Sequence, residues 1–190
     1  MSIATQQLTL EEYLNYDRSR EQHYELSAGN LIEMPPESPQ NAEIAIRLLL
    51  FFARFVAPRL LRCKDTEIVV SGSRTTVRLP DLMVLTEELA DALYGNQRST
   101  IMSDMPPPAL VVEVVSPGKV NHDRDYRYKR SEYAARGIAE YWIVDPLINK
   151  LTVLILNEGL YDETTFTGEQ KINSSVFPQL QLTAKEIFGN

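Results

Sequence analysis

The chain has 190 residues, 44% hydrophobic and 24% charged, enough apolar material for one sizeable core and too much for a disordered chain. Nineteen Lys and Arg against 26 Asp and Glu leave a formal charge of -7, which excludes nucleic-acid coating by a uniformly basic surface but leaves room for a local basic groove. The single cysteine, Cys63, excludes an internal disulfide and a cysteine-rich zinc site.

The start, MSIATQQLTLEEY, carries no basic head and no apolar stretch, so no leader is expected. The longest fully apolar run, Leu48 to Ala53, falls far short of the ~20 residues a membrane helix needs. A cytoplasmic protein with no membrane partner, folded as a single domain over 1–190, is the expectation.

In chain order, Thr9 and Glu12 have capping-box spacing and predict a short helix to about Tyr16. Tyr24–Leu26 and Leu31–Met34 flank an Ala-Gly-Asn turn and read as a hairpin. From Gln40 to Ala57, apolar residues recur at helical spacing until Pro58. Strands follow over 67–70 and 74–77, joined through Ser71-Gly-Ser73, and then over 81–85. A short helix from Thr86 to Leu93 leads into a loop over 96–108. The run 110–115 is a strand whose unbroken apolar character predicts burial on both faces. A polar helix over 122–136 ends at Gly137, a residue suited to a left-handed cap. Strands over 138–144 and 150–156 follow, then a tail with strand character and a last helix near Ala184. The order predicts a mixed α/β sheet layered with helices.

Glu113 is the most informative residue, because it interrupts Val-Val-Glu-Val-Val. Strand alternation places it on one face with Val111 and Val115. A carboxylate buried there needs a metal or a cation; at a strand end it would simply meet water or a structural Arg. Asp81 follows Pro80 and opens another strand, which by itself is ordinary turn punctuation. Together, two acids on neighbouring central strands can offer oxygen ligands to Mg²⁺. Asp125, Lys129 and Tyr133 stand four apart, so they share one helix face. Asp125–Lys129 reads either as a surface ion pair or as a device that aims Lys129 at the two acids.

The segments Ala109–Pro117, Asp125-x3-Lys129-x3-Tyr133-x3-Gly137 and Glu140–Pro146 resemble the Uma-type endonuclease family, related in fold to the PD-(D/E)XK restriction endonucleases. Glu25–Gly29, Arg78-Leu-Pro-Asp81 and Phe177-Pro-x-Leu180 extend the resemblance over nearly the whole chain. It implies a restriction-endonuclease-like αβββαβ core, with the N-terminal hairpin and C-terminal strands as additions. It also implies cleavage of DNA dependent on Mg²⁺ (Mn²⁺ as substitute), with Asp81 and Glu113 as metal ligands. The superfamily's usual lysine position is occupied by Val115, and Lys129 replaces it. Glu25 fits the pattern as a further site acid or as a brace for the turn at Gly29. Asn41, beside Glu43, stands where the family often has His, and Ala109 where it often has Asp. A homodimer is implied by the same resemblance, and RNA or a branched nucleic acid stays open as substrate.

His23 and His122 lack metal-ligand spacing, and Trp142 reads as core or a dimer contact. Lys119, Arg124, Arg127, Lys129, Arg130 and Arg136 outweigh Asp123, Asp125 and Glu132, so 119–136 carries +3 and the remainder -10. Arg124, Arg127 and Arg130 are accordingly candidate substrate contacts, with a solvated helix face as the alternative. Tyr133 is a candidate partner of Lys129 or of a substrate phosphate, with packing as the alternative that weighs more.

Overall fold

A computed structural model describes residues 7–16, 24–70 and 74–189. Helix α1 (Leu10–Leu14) starts at Thr9, where both halves of the capping box form. Strands β1 (Tyr24–Ser27) and β2 (Asn30–Glu33) make the expected hairpin. Helix α2 (Pro39–Phe52) is capped by the Ser38 side chain and stops five residues short of Ala57. The cause is Pro58, which disfavours helical backbone at Ala57 (ψ 144°), so the chain tightens through Arg54–Phe51 and Phe55–Phe52 bonds and leaves the helix.

Strands β3 (Leu61–Arg62), β4 (Glu67–Val70), β5 (Thr76–Arg78) and β6 (Leu82–Val84) follow, with α3 (Glu87–Leu93) and β7 (Thr100–Ile101) after them. The short strand β7, paired in parallel with β4, lies inside the segment expected to be loop. The expected turn at Ser71–Ser73 lies outside the described residues, as does His23. Strand β8 (Leu110–Val114) leads to a helix in three parts: α4 (Lys119–Asp123), a π-helical turn (Arg124–Lys129) and α5 (Arg130–Arg136). The chain ends with β9 (Glu140–Asp145), β10 (Lys150–Asn157), β11 (Leu160–Thr167) and α6 (Ala184–Phe188).

Two sheets form, ordered β2-β1-β5-β4-β7 and β11-β10-β9-β8-β6-β3. The stretch 76–84 belongs to both: it pairs with β4 as β5, bends at Leu79-Pro80, and pairs with β8 as β6. Pro80 has no amide hydrogen to give a ladder, so the bend falls where pairing must lapse. Strands β8 and β9 are parallel, joined through the three-part helix. With α2 in front, this is the αβββαβ order expected from the sequence.

Alternation along the central strands divides the core. Leu82, Val84, Leu110, Val112, Val114, Trp142 and Val144 face α2 and α6, packing with Ile44, Leu48 and Phe52. Met83, Val111, Val115, Tyr141 and Ile143 face the other way, under α3 and α5. Trp142 is core, edge-on to Phe52 at 5.5 Å. Glu113 belongs to the second face, so its carboxylate is directed beneath the three-part helix.

Candidate active site

The bend at Leu79-Pro80 sets Asp81 one residue ahead of β6. Strands β6 and β8 are antiparallel with Leu82 opposite Val112, and one more step of that register puts Asp81 opposite Glu113. Residues directly opposite in such a pair have Cβ atoms about 4.5–5.5 Å apart. Asp81 Oδ2 accepts from the Val114 amide at 2.6 Å, which fixes the carboxylate on the neighbouring strand.

Lys129 comes to the acids from above. Its Nζ lies 2.8 Å from Glu113 Oε2, 3.3 Å from Glu25 Oε1 and 3.5 Å from Asp125 Oδ1, and its side chain is 1% exposed. The sequence predicts a continuous helix over 122–136; the structure inserts a π-helical turn instead. In an α-helix a four-residue repeat drifts around the axis by roughly 40° per step. A wider turn offsets that drift, so Asp125, Lys129 and Tyr133 all stay buried on one face.

Glu25 on β1 carries a second layer of contacts. It accepts from Arg78 Nη1 at 3.0 Å and the Leu79 amide at 3.1 Å, besides its approach to Lys129. Arg78 is also bidentate on Glu132 of α5, at 2.7 and 2.8 Å. One buried guanidinium thereby ties both sheets' shared strand to β1 and to the helix that carries Lys129.

The electrostatics follow from burial and these pairs. Burial pushes the Glu113 carboxyl up; Lys129 opposes this, while Asp81, Asp125 and Glu25 add to it. Burial also lifts Asp81, against the pull of Lys64, the Val114 amide and Lys129. For Glu25, burial alone would raise the pKa, but Lys129, Arg78 and Arg124 together hold it down at about 2. Burial would lower Lys129, yet Glu113, Glu25 and Asp125 outweigh it, so its pKa rises and the group stays an ammonium. A permanently charged Lys129 can stabilise developing negative charge but is a poor proton acceptor.

A cleft of about 300 Å³ opens over the acids, with Asp81, Glu113, Lys129, Arg124, Lys64 and Glu37 in its wall. Glu113 is buried and Asp81, 15% exposed, stands opposite it at the cleft; Mg²⁺ commonly takes one or two carboxylates and completes its shell with water. The donor set therefore fits such an ion at Asp81 and Glu113. Among the described residues no group of three or more His, Cys, Asp and Glu forms a metal cluster.

The remaining candidates divide sharply. Arg124 lines the cleft and bonds Asp125 Oδ1 at 3.1 Å. Tyr133 does not face a substrate: it is fully buried and donates to Glu113 Oε1 at 2.7 Å, orienting that carboxylate. Arg130 turns away to β11, bonding Glu163 at 2.5 Å and the Tyr161 carbonyl at 3.1 Å. Arg127 is exposed outside the cleft, its guanidinium over the Tyr128 ring. Glu43 pairs with Arg47 on the surface of α2 and takes no part in the site. Asn41 is buried with its amide 3.5 Å from the Val114 and Val115 carbonyls, bracing the end of β8. Sequence reasoning missed Arg78 as a brace, Glu132 and Lys64. Arg78 lay within the Arg-Leu-Pro-Asp segment, but nothing local marked its partners.

A central mixed sheet with two acids on adjacent strands and a helix-borne lysine above them defines a restriction-endonuclease-like nuclease fold. The chain belongs to the Uma2 family, described as "Putative restriction endonuclease", whose profile matches residues 10–185. The fold is similar to a crystal structure described as "a putative nuclease belonging to DUF820 from Anabaena variabilis ATCC 29413". The TM-score is 0.72 at 16% identity, with 96% of this chain and 98% of that chain covered. No curated protein matches the chain. Among the described residues no helix is long and apolar enough to cross a membrane.

Proposed function

We propose that the protein is a divalent-cation-dependent endonuclease that hydrolyses phosphodiester bonds in DNA. The observation that carries this reading is the Lys129–Glu113 contact at 2.8 Å beside Asp81, the next residue in register on the adjacent strand. Asp81 and Glu113 would hold Mg²⁺ or Mn²⁺, which when bound supplies Lewis-acid polarisation of the phosphodiester and a more acidic water. Lys129, kept charged by three carboxylates, faces the negative charge that develops on the phosphate. Tyr133 holds Glu113 in orientation, Glu25 holds Lys129, and Arg124 at the cleft wall contacts a substrate phosphate. A homodimer would present two such sites to two strands.

The test is cleavage of plasmid, single-stranded DNA and RNA with Mg²⁺ or Mn²⁺, comparing wild type with Glu113→Gln. The variant should lose more than about 100-fold in rate. Equal trace activity in both proteins overturns catalysis at this site. A second reading, a nucleic-acid-binding module without catalysis, draws on Asn41 and Ala109, which stand where the family often has His and Asp. Salt-dependent DNA binding without calorimetric uptake of Mn²⁺ would favour it. Sedimentation velocity tests the dimer.

A further inference from the structure

The cleft contains a second lysine that the scheme above leaves idle. Lys64 lies between β3 and β4, in the same cleft wall as Asp81 and Glu113. Its Nζ stands 3.3 Å from Asp81 Oδ1 and is also bonded to Glu37 of the segment before α2. The other Asp81 oxygen, Oδ2, is already taken by the Val114 amide at 2.6 Å. Oδ1 is therefore the oxygen with which Asp81 can meet a cation, and Lys64 is the cation that meets it.

The backbone adds an independent observation. Lys64 has φ +56°, in the left-handed region that side-chain-bearing residues seldom occupy. Asn or Gly would sit there more comfortably, so a lysine at this position is held where its side chain reaches Asp81 and Glu37.

We propose that Lys64 is a positioning residue whose ammonium and a divalent ion are alternative partners of Asp81 Oδ1, so that Lys64 sets the cation affinity of the site. This rests on the cation-dependent reading above. A small, strongly hydrated charge on a flexible four-carbon stem swings away readily, and the open cleft gives it the phosphate of an incoming nucleic acid as its next partner. An anionic substrate and a divalent ion then favour each other's binding, because each draws Lys64 off Asp81 in the same direction.

Calorimetric titration of Mn²⁺ alone into the full chain tests this without a substrate. Lys64→Asn keeps a residue tolerant of left-handed backbone, and Lys64→Gly is a second variant of the same kind. Removing one positive charge a few ångströms from a divalent ion lowers its dissociation constant by about tenfold or more. Lys119→Asn, at an exposed lysine paired with Asp123 outside the cleft wall, should leave it unchanged. Tighter Mn²⁺ binding in both Lys64 variants supports the inference. Unchanged or weaker binding, with measurable binding by wild type, overturns the inference alone. Absence of Mn²⁺ binding in wild type and variants overturns the cation-dependent reading and the inference with it.

Discussion

Replacing Arg78 by Met removes three hydrogen bonds at once: two to Glu132 at 2.7 and 2.8 Å and one to Glu25 at 3.0 Å. The guanidinium is 4% exposed, so its two carboxylate partners lose a cation in a site that water hardly reaches. Removing one member of a buried ion pair typically costs about 3–5 kcal/mol. Glu25 keeps Lys129 and the Leu79 amide, and Glu132 is exposed enough to be rehydrated. The lower end, about 3 kcal/mol, is therefore expected. For a chain of this length that corresponds to a fall in Tm of about 6–12 °C. Glu132→Gln, which keeps one acceptor for Arg78 at the rim of the network, should cost about 1 kcal/mol. Urea unfolding at neutral pH measures both. A loss below about 1 kcal/mol for Arg78→Met, or an equal loss for both variants, would show that the guanidinium does not bind the two sheets to the helix as argued.

Acid stability reports on Glu25 separately. Its folded pKa of about 2 lies below the ordinary 4.5, so its ionised form stabilises the fold fully above about pH 4.5, and that contribution vanishes as pH falls through about 2. Glu25→Gln should lower stability at pH 6 and flatten the loss between pH 5 and 2.5 relative to wild type; parallel urea-derived curves would refute this. At the end of α5, Gly137 has φ +80° and its nearest neighbour for an added Cβ, Pro107, is 4.0 Å away. Gly137→Ala should therefore cost about 1 kcal/mol through backbone strain rather than collision, read as a shifted midpoint at constant m-value.

What the sequence made legible was whatever alternation and spacing control. An acid inside five valines and leucines marks its own face, and the β8 pairing puts Glu113 on that face. The four-residue repeat of Asp125, Lys129 and Tyr133 likewise marks one helix face, though the π-helical turn that keeps all three on it is announced by no local residue. The braces were illegible for the opposite reason. Arg78 meets Glu25 and Glu132 across 53 and 54 residues of chain, and Lys64 meets Glu37 across 27. Such contacts depend on how the 76–84 strand bends between two sheets, a tertiary outcome that the prolyl residue permits but does not specify. The same gap hid the bonding of Arg130, whose partner Glu163 lies on β11.

The basic stretch 119–136 shows how that gap changes a functional expectation. Its +3 suggests a phosphate-binding surface. In the structure Lys119 is paired with Asp123, Arg124 with Asp125, Lys129 with Glu113 and Glu25, and Arg130 with Glu163, while Arg136 donates to the Met102 and Met105 carbonyls. Most of that charge is spent on the protein's own carboxylates and carbonyls. Arg124 and Lys64 are the cations of the cleft wall that a phosphate could reach beside buried Lys129. Two neutralised phosphates give a slope of log K against log salt near about -2 on duplex DNA, since each contributes about -0.9. Binding of Glu113→Gln to a labelled duplex between 50 and 200 mM salt measures that slope, and Arg124→Gln should reduce its magnitude by about one. A slope of about -5 or steeper would mean that DNA is held over a wider surface than this cleft, and the assignment of substrate contacts to Arg124 and Lys64 would fail.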